Sequence, residues 1–163
     1  MQIIATVDNN WAMRSKGRPC VTIPADLRFI RQLTKNKVLV MDKEILDNLP
    51  SGMPFAERKN IVFTTDRNFK IRGAEVVNDL ESLRKLLSGY DEQDVFITGG
   101  NTLIGEFIND CDTLHITKVD HEYRADEYFP LGKEFEEFVI AEESEEQTLY
   151  DLEYYFFRFE RKG

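Results

Sequence analysis

Asp26 is the side chain best placed in this sequence to move a proton. It follows Pro24 in the segment Ile23-Pro24-Ala25-Asp26-Leu27, and an apolar stripe of Leu27, Ile30 and Leu33 continues at helical spacing. A proline and an acid at such a position mark a helix start. One reading of Asp26 is therefore a carboxylate that favours the helix dipole. The other is a carboxylate at the edge of a buried stripe, where loss of water raises its proton affinity and suits it to acid-base work near neutral pH. Gly99-Gly100 is the second candidate. It follows the apolar run Asp94 to Thr98 and opens a helical stretch through Ile108. Glycines at such a junction let the backbone approach a ligand, and free amides attract anions. A ligand-free tight turn explains the pair equally well, and the third glycine of a dinucleotide fingerprint is missing. The two histidines, His115 and His121, and the two cysteines, Cys20 and Cys111, lack metal-ligand spacing.

The elements that must position these groups alternate between strand and helix. Gln2 to Asp8 reads as a buried strand, and residues 9 to 23 as a long irregular loop of the kind that often carries function. Residues 24 to 34 form the first helix. Lys37 to Met41 is a continuous apolar run, the mark of a strand buried on both faces. Glu44 to Leu49 suggests a short helix ended by Pro50-Ser51-Gly52. Strands follow at Asn60 to Thr64 and Ala74 to Val77. Asp79 caps a helix carrying Leu80, Leu83, Leu86 and Leu87 that stops at Gly89. Beyond Asp112, the stretches Thr113 to Val119, Phe135 to Glu142 and Leu149 to Glu160 read as longer strands. The sum is one α/β domain over residues 1–163, mostly parallel, with an antiparallel C-terminal strand.

Composition narrows the function. The chain has 163 residues, 42% hydrophobic and 12% aromatic, enough for one sizeable core. A formal net charge of -9 opposes general binding to nucleic acid or anionic membranes, so an anionic ligand needs a local basic pocket. No apolar run reaches the length of a membrane span, and the first residues lack signal-peptide architecture. Free thiols in a reducing cytoplasm are the simplest account of the cysteines.

Taken in order, several segments together resemble the dihydrofolate reductase family nearly end to end. They are Ile23-Pro24-Ala25-Asp26, Lys37 to Met41, Glu57-Arg58-Lys59-Asn60-Ile61-Val62, Asp94 to Gly100, His115 to Asp120, Ala125 to Pro130 and the aromatic tail Asp151 to Arg161. The resemblance implies a three-layer dihydrofolate reductase-like domain. It also implies a monomer acting on a small-molecule folate or pterin, with NADPH as hydride donor. Asp26 matches the carboxylate that faces the pterin, and Thr117 the hydroxyl that supports it. Arg58 matches the arginine that holds the substrate's glutamate carboxylate, where a planar fork suits a planar acid. Ile4, Ala5, Val21, Leu27, Ile30 and Phe55 match the apolar walls of the substrate site. Thr6, Met13, Lys43, Thr64, Thr65, Gly99, Gly100, Asn101 and Thr102 fall on the cofactor side.

That cofactor side departs from the family pattern. The loop after the first strand usually reads glycine-isoleucine-glycine; here it is Ala12-Met13-Arg14. Met41-Asp42-Lys43-Glu44-Ile45 replaces a segment that normally offers glycine, arginine and a hydroxyl or histidine. Asp42 and Glu44 are expected to lie beside the phosphates, each costing on the order of 2 to 3 kcal/mol at roughly 6 Å and an effective dielectric of ~20 before screening. Lys43 keeps a positive charge without the fork. Three readings stay open: a working reductase with altered NADPH binding, a relative that binds a pterin or folate without hydride transfer, and a reductase with another substrate or cofactor.

Overall fold

Val38 to Asp42 are buried without interruption and form a middle strand of the sheet. The structure is a computed structural model describing residues 1–163. In chain order the strands are β1 (Gln2–Val7), β2 (Ala12–Ser15), β3 (Arg18–Pro19), β4 (Val38–Asp42), β5 (Lys59–Phe63), β6 (Glu75–Val77), β7 (Val95–Ile97), β8 (Thr113–Val119), β9 (Glu127–Tyr128), β10 (Phe138–Glu143), β11 (Gln147–Leu149) and β12 (Leu152–Arg161). The helices are α1 (Pro24–Leu33), α2 (Lys43–Asp47), α3 (Leu80–Leu87), α4 (Asn101–Phe107) and α5 (Lys133–Glu136). The main sheet runs β10-β12-β8-β1-β7-β4-β5-β6, with β11 paired to β12. Every pairing from β8 to β6 is parallel, and the C-terminal pairings of β12 with β8, β10 and β11 are antiparallel.

The side chains of the parallel strands alternate between two cores, as the pleat requires. Ile4, Leu39, Met41, Val62 and Phe96 face a cluster that also takes Leu46 and Leu49, with Leu27, Ile30 and Leu33 of α1 packed against it. Ile3, Val38, Val40, Ile61, Val95 and Ile97 face the opposite way, onto Leu83 and Leu87 of α3 and Leu103, Ile104 and Phe107 of α4. Helices thus cover both faces, which gives the expected three layers. Burial of each large aliphatic side chain is worth about 1.5–3 kcal/mol, so the two clusters fix the register of the strand ends that carry the site.

Residues 9 to 23 are more ordered than the sequence suggests. β2 and β3 pair antiparallel, and β2 also pairs with β9, making a second small sheet. Asp8 organises its entrance: one oxygen accepts from the amides of Asn10 and Ala12 at 2.8 and 2.9 Å, the other from Tyr123 at 2.8 Å. Trp11 anchors the segment edge-on against Phe135 and near Phe129. The loop lies flat because its backbone polar groups find partners in β9, a strand too short to leave a hydrophobic period in the sequence.

Candidate active site

The first turn of α1 buries Asp26. Pro24 opens the helix and Asp26 donates its own amide to the Ile23 carbonyl at 2.9 Å, which turns the side chain toward the sheet. Two threonines meet it there. Thr6 of β1 donates its hydroxyl to one carboxylate oxygen at 2.7 Å, and Thr117 of β8 donates to the other at 2.7 Å. The two threonines are register partners on adjacent parallel strands, so the pleat presents both hydroxyls to α1 together. Burial raises the proton affinity of Asp26 above the ordinary carboxylate value, and the two hydroxyls only partly oppose it. The result is a carboxyl that holds its proton more readily than an exposed aspartate, the direction that suits acid-base work.

A cleft of about 850 Å³ opens over this carboxylate. Ile4, Ala5, Val21, Leu27, Ile30 and Phe55 line it, so the apolar walls expected from the sequence converge on one space, and Thr6, Met13 and Gly99, expected on the cofactor side, line the same cleft. Arg58 stands outside that lining. Its guanidinium stacks on the Phe55 ring at 5.2 Å and donates to the Arg31 carbonyl, the Thr34 hydroxyl and the Ala56 carbonyl. Burial and the nearby Arg31 lower its proton affinity, an environment that favours an incoming anion. Behind α1 a second cavity of about 860 Å³ reaches Asp26 and Thr117. His115 lines it, with Nε2 2.6 Å from the Gln2 side-chain oxygen. Burial and then Arg158 push His115 down to about 4, so it is neutral at pH 7.

A groove of about 1370 Å³ lies beyond the glycine pair and brings together Thr64, Thr65, Gly100, Asn101 and Thr102. Asp42, Glu44, Asp79, Asp126 and Glu127 line it as well, with Arg14 as the single cation. Three sequence expectations change here. Thr6 turns its hydroxyl to Asp26 rather than to the cofactor side. Lys43 does not line the groove; its ammonium binds Asp47 one helical turn on, at 2.8 Å, and lies over the Phe69 ring. Asp42 is not a bare charge facing a ligand. Arg14 donates to both its oxygens at 2.7 Å, and the amides of Gly100 and Ile45 add bonds at 2.9 and 3.0 Å. Arg14 and Asp42 are 5% and 8% exposed, so this is a buried, bidentate pair. Glu127 approaches the same guanidinium at 3.5 Å. Burial opposes the charge on Arg14, and Asp42 outweighs it, leaving the guanidinium more firmly protonated than usual. Glu44 remains exposed and keeps its expected place in the groove.

The dihydrofolate reductase sequence profile matches residues 1–161. A dihydrofolate reductase of Staphylococcus aureus (strain Mu50) is 33% identical over 119 residues, 73% of this chain and 70% of the relative. The chain belongs to the dihydrofolate reductase family. A dihydrofolate reductase from Staphylococcus haemolyticus is 28% identical over 141 residues, covering 85% of this chain and 82% of that one. The fold is also that of a solved family structure, the Enterococcus faecalis dihydrofolate reductase complexed with NADP(H) and RAB-propyl. That structure superposes with a TM-score of 0.82 at 19% identity, over 99% of this chain and 96% of the other.

Proposed function

We propose that this chain reduces 7,8-dihydrofolate to tetrahydrofolate with NADPH, acting as a one-domain monomer in the cytoplasm. The observation that carries the reading is Asp26, held by two threonine hydroxyls at the floor of an apolar cleft in a member of the dihydrofolate reductase family. A flat heterocycle with a polar edge fits such a cleft: Asp26 accepts from the edge, and Ile4, Leu27, Ile30 and Phe55 cover the faces. In its ionised form the carboxylate orients the amino group and ring nitrogen of the pterin. The negative charge of that carboxylate favours a protonated imine nearby, which is the form that accepts a hydride. Thr117 and Thr6 fix the carboxylate's rotamer and act as positioning residues. Arg58, stacked on Phe55 at the cleft's edge, is assigned to the substrate's carboxylate.

The residues present can hold a dinucleotide once Arg14, the groove's one cation, is released from Asp42. The groove continues from the cleft past Gly99 and Gly100, with Thr64, Thr65, Asn101 and Thr102 as hydroxyl and amide partners and Arg14 as the cation. NADPH, when bound, supplies the hydride. The protein contributes orientation, a water-poor cleft and the proton-handling group. Assay by loss of NADPH absorbance, with and without dihydrofolate, tests the reading: dihydrofolate-dependent oxidation with tetrahydrofolate as product is expected. A second reading, folate binding without turnover, is favoured by the Arg14–Asp42 pair that stands between cleft and groove. It predicts that folate raises the melting temperature while NADPH is not consumed.

A further inference from the structure

Arg14 lines both the Asp26 cleft and the acidic groove, and it is the only cation lining either. Its guanidinium lies against the backbone of Gly100, where an added Cβ would sit 2.7 Å from Nη1. A dinucleotide spanning the two spaces must bring its diphosphate past this point, where the groove otherwise presents five carboxylates. We propose that Arg14 is the diphosphate-binding residue of this chain, reached by ion-pair exchange: Arg14 leaves Asp42 and takes the cofactor's diphosphate. The inference rests on the dinucleotide reading above.

Three features make the exchange physically reasonable. Asp42 keeps two backbone donors, Gly100 and Ile45, after Arg14 departs, so its charge is not orphaned. A diphosphate offers the planar fork the same bidentate partner that Asp42 now supplies, with more charge. Arg14 sits on β2, so the exchange ties the segment over the cleft to cofactor arrival. Asp42 is then a competitor for the cofactor's own ligand, and the pair sets cofactor affinity from the cleft's groove-side wall, away from Asp26 and Arg58.

The test is NADPH affinity, by fluorescence or calorimetry, in the parent, R14Q, D42S and R14Q/D42S, with folate affinity and melting temperature measured in parallel. Serine preserves the helix cap that Asp42 now provides to α2. The proposal expects R14Q to weaken NADPH at least tenfold, D42S to tighten it at least tenfold, and the double variant to bind more weakly than the parent. Folate affinity is expected to stay within about twofold throughout. If R14Q fails to fold, the double variant, which buries neither charge, decides in its place. NADPH binding by R14Q/D42S as tight as, or tighter than, the parent's overturns the exchange and makes the pair a plug. Absence of NADPH binding in all four proteins, with folate still bound, overturns the dinucleotide reading and the exchange with it.

Discussion

The cleft over Asp26 and the groove beyond Gly100 share a wall, yet they are built for opposite tasks. The cleft surrounds one carboxylate with apolar side chains and satisfies it with two hydroxyls. The groove gathers five carboxylates and spends its one cation on an internal partner. A neutral, flat ligand gains from the first arrangement without any charge compensation. A polyanion entering the second must displace something. The two regions obey different chemistry, because a heterocycle is recognised by shape and a few hydrogen bonds, and phosphates by charge.

The largest expected effect breaks the cleft. D26N should lower the rate of dihydrofolate reduction by about 10²- to 10⁴-fold at neutral pH, the range for loss of a positioned acid-base group, while leaving NADPH affinity unchanged. The same variant has a signature in stability. The proton affinity of Asp26 is raised in the folded protein, so the fold holds a proton that the unfolded chain has released. Stability of the parent therefore falls as pH rises from the ordinary carboxylate value through the raised one, and stays lower above it. D26N should melt higher than the parent at pH 7, with the gap closing as the pH drops below the ordinary value; differential scanning at both pH values checks this.

Next in size, T117V removes one of the two hydroxyls that hold Asp26 toward its ionised form. The pH-rate profile should move to higher pH, and the hydrogen bond lost is worth about 1 kcal/mol, or roughly fivefold in rate at the optimum. T6V should act in the same direction, since its hydroxyl bonds the other oxygen. A profile that stays in place would mean that the threonines merely pack. On the groove side, G100A forces a methyl into the space of Arg14 and Glu127. A cost of about 1–3 kcal/mol in denaturant unfolding is expected, typical of overpacking, with folate affinity spared. The smallest effect is E44T. Glu44 is exposed and screened, so its removal should tighten NADPH by only about twofold to threefold in low salt, and less in high salt.

The sequence made the strongly periodic elements legible. The run Lys37 to Met41, the leucines of α3 and the stripe of α1 lie where their spacing puts them, because each buries enough apolar surface to dictate its own conformation. Asp26 was legible for the same reason: its neighbours define a face. Thr6 was not, since a hydroxyl's partner depends on the β1–β8 register, which no local pattern encodes. The pairing of Arg14 with Asp42 was hidden as well. Each looks like a foreign charge on its own, and only the fold brings together residues from β2 and β4 so that one departure answers the other. β9, two residues long, carries no period at all.

The site works in this way only if the cleft makes Asp26 hold its proton more tightly than an ordinary aspartate does. A carbon-13 titration of the Asp26 carboxyl, assigned by its absence in D26N, tests that directly. A midpoint clearly above the ordinary carboxylate value of about 3.9 is expected. A midpoint at or below that value would contradict it.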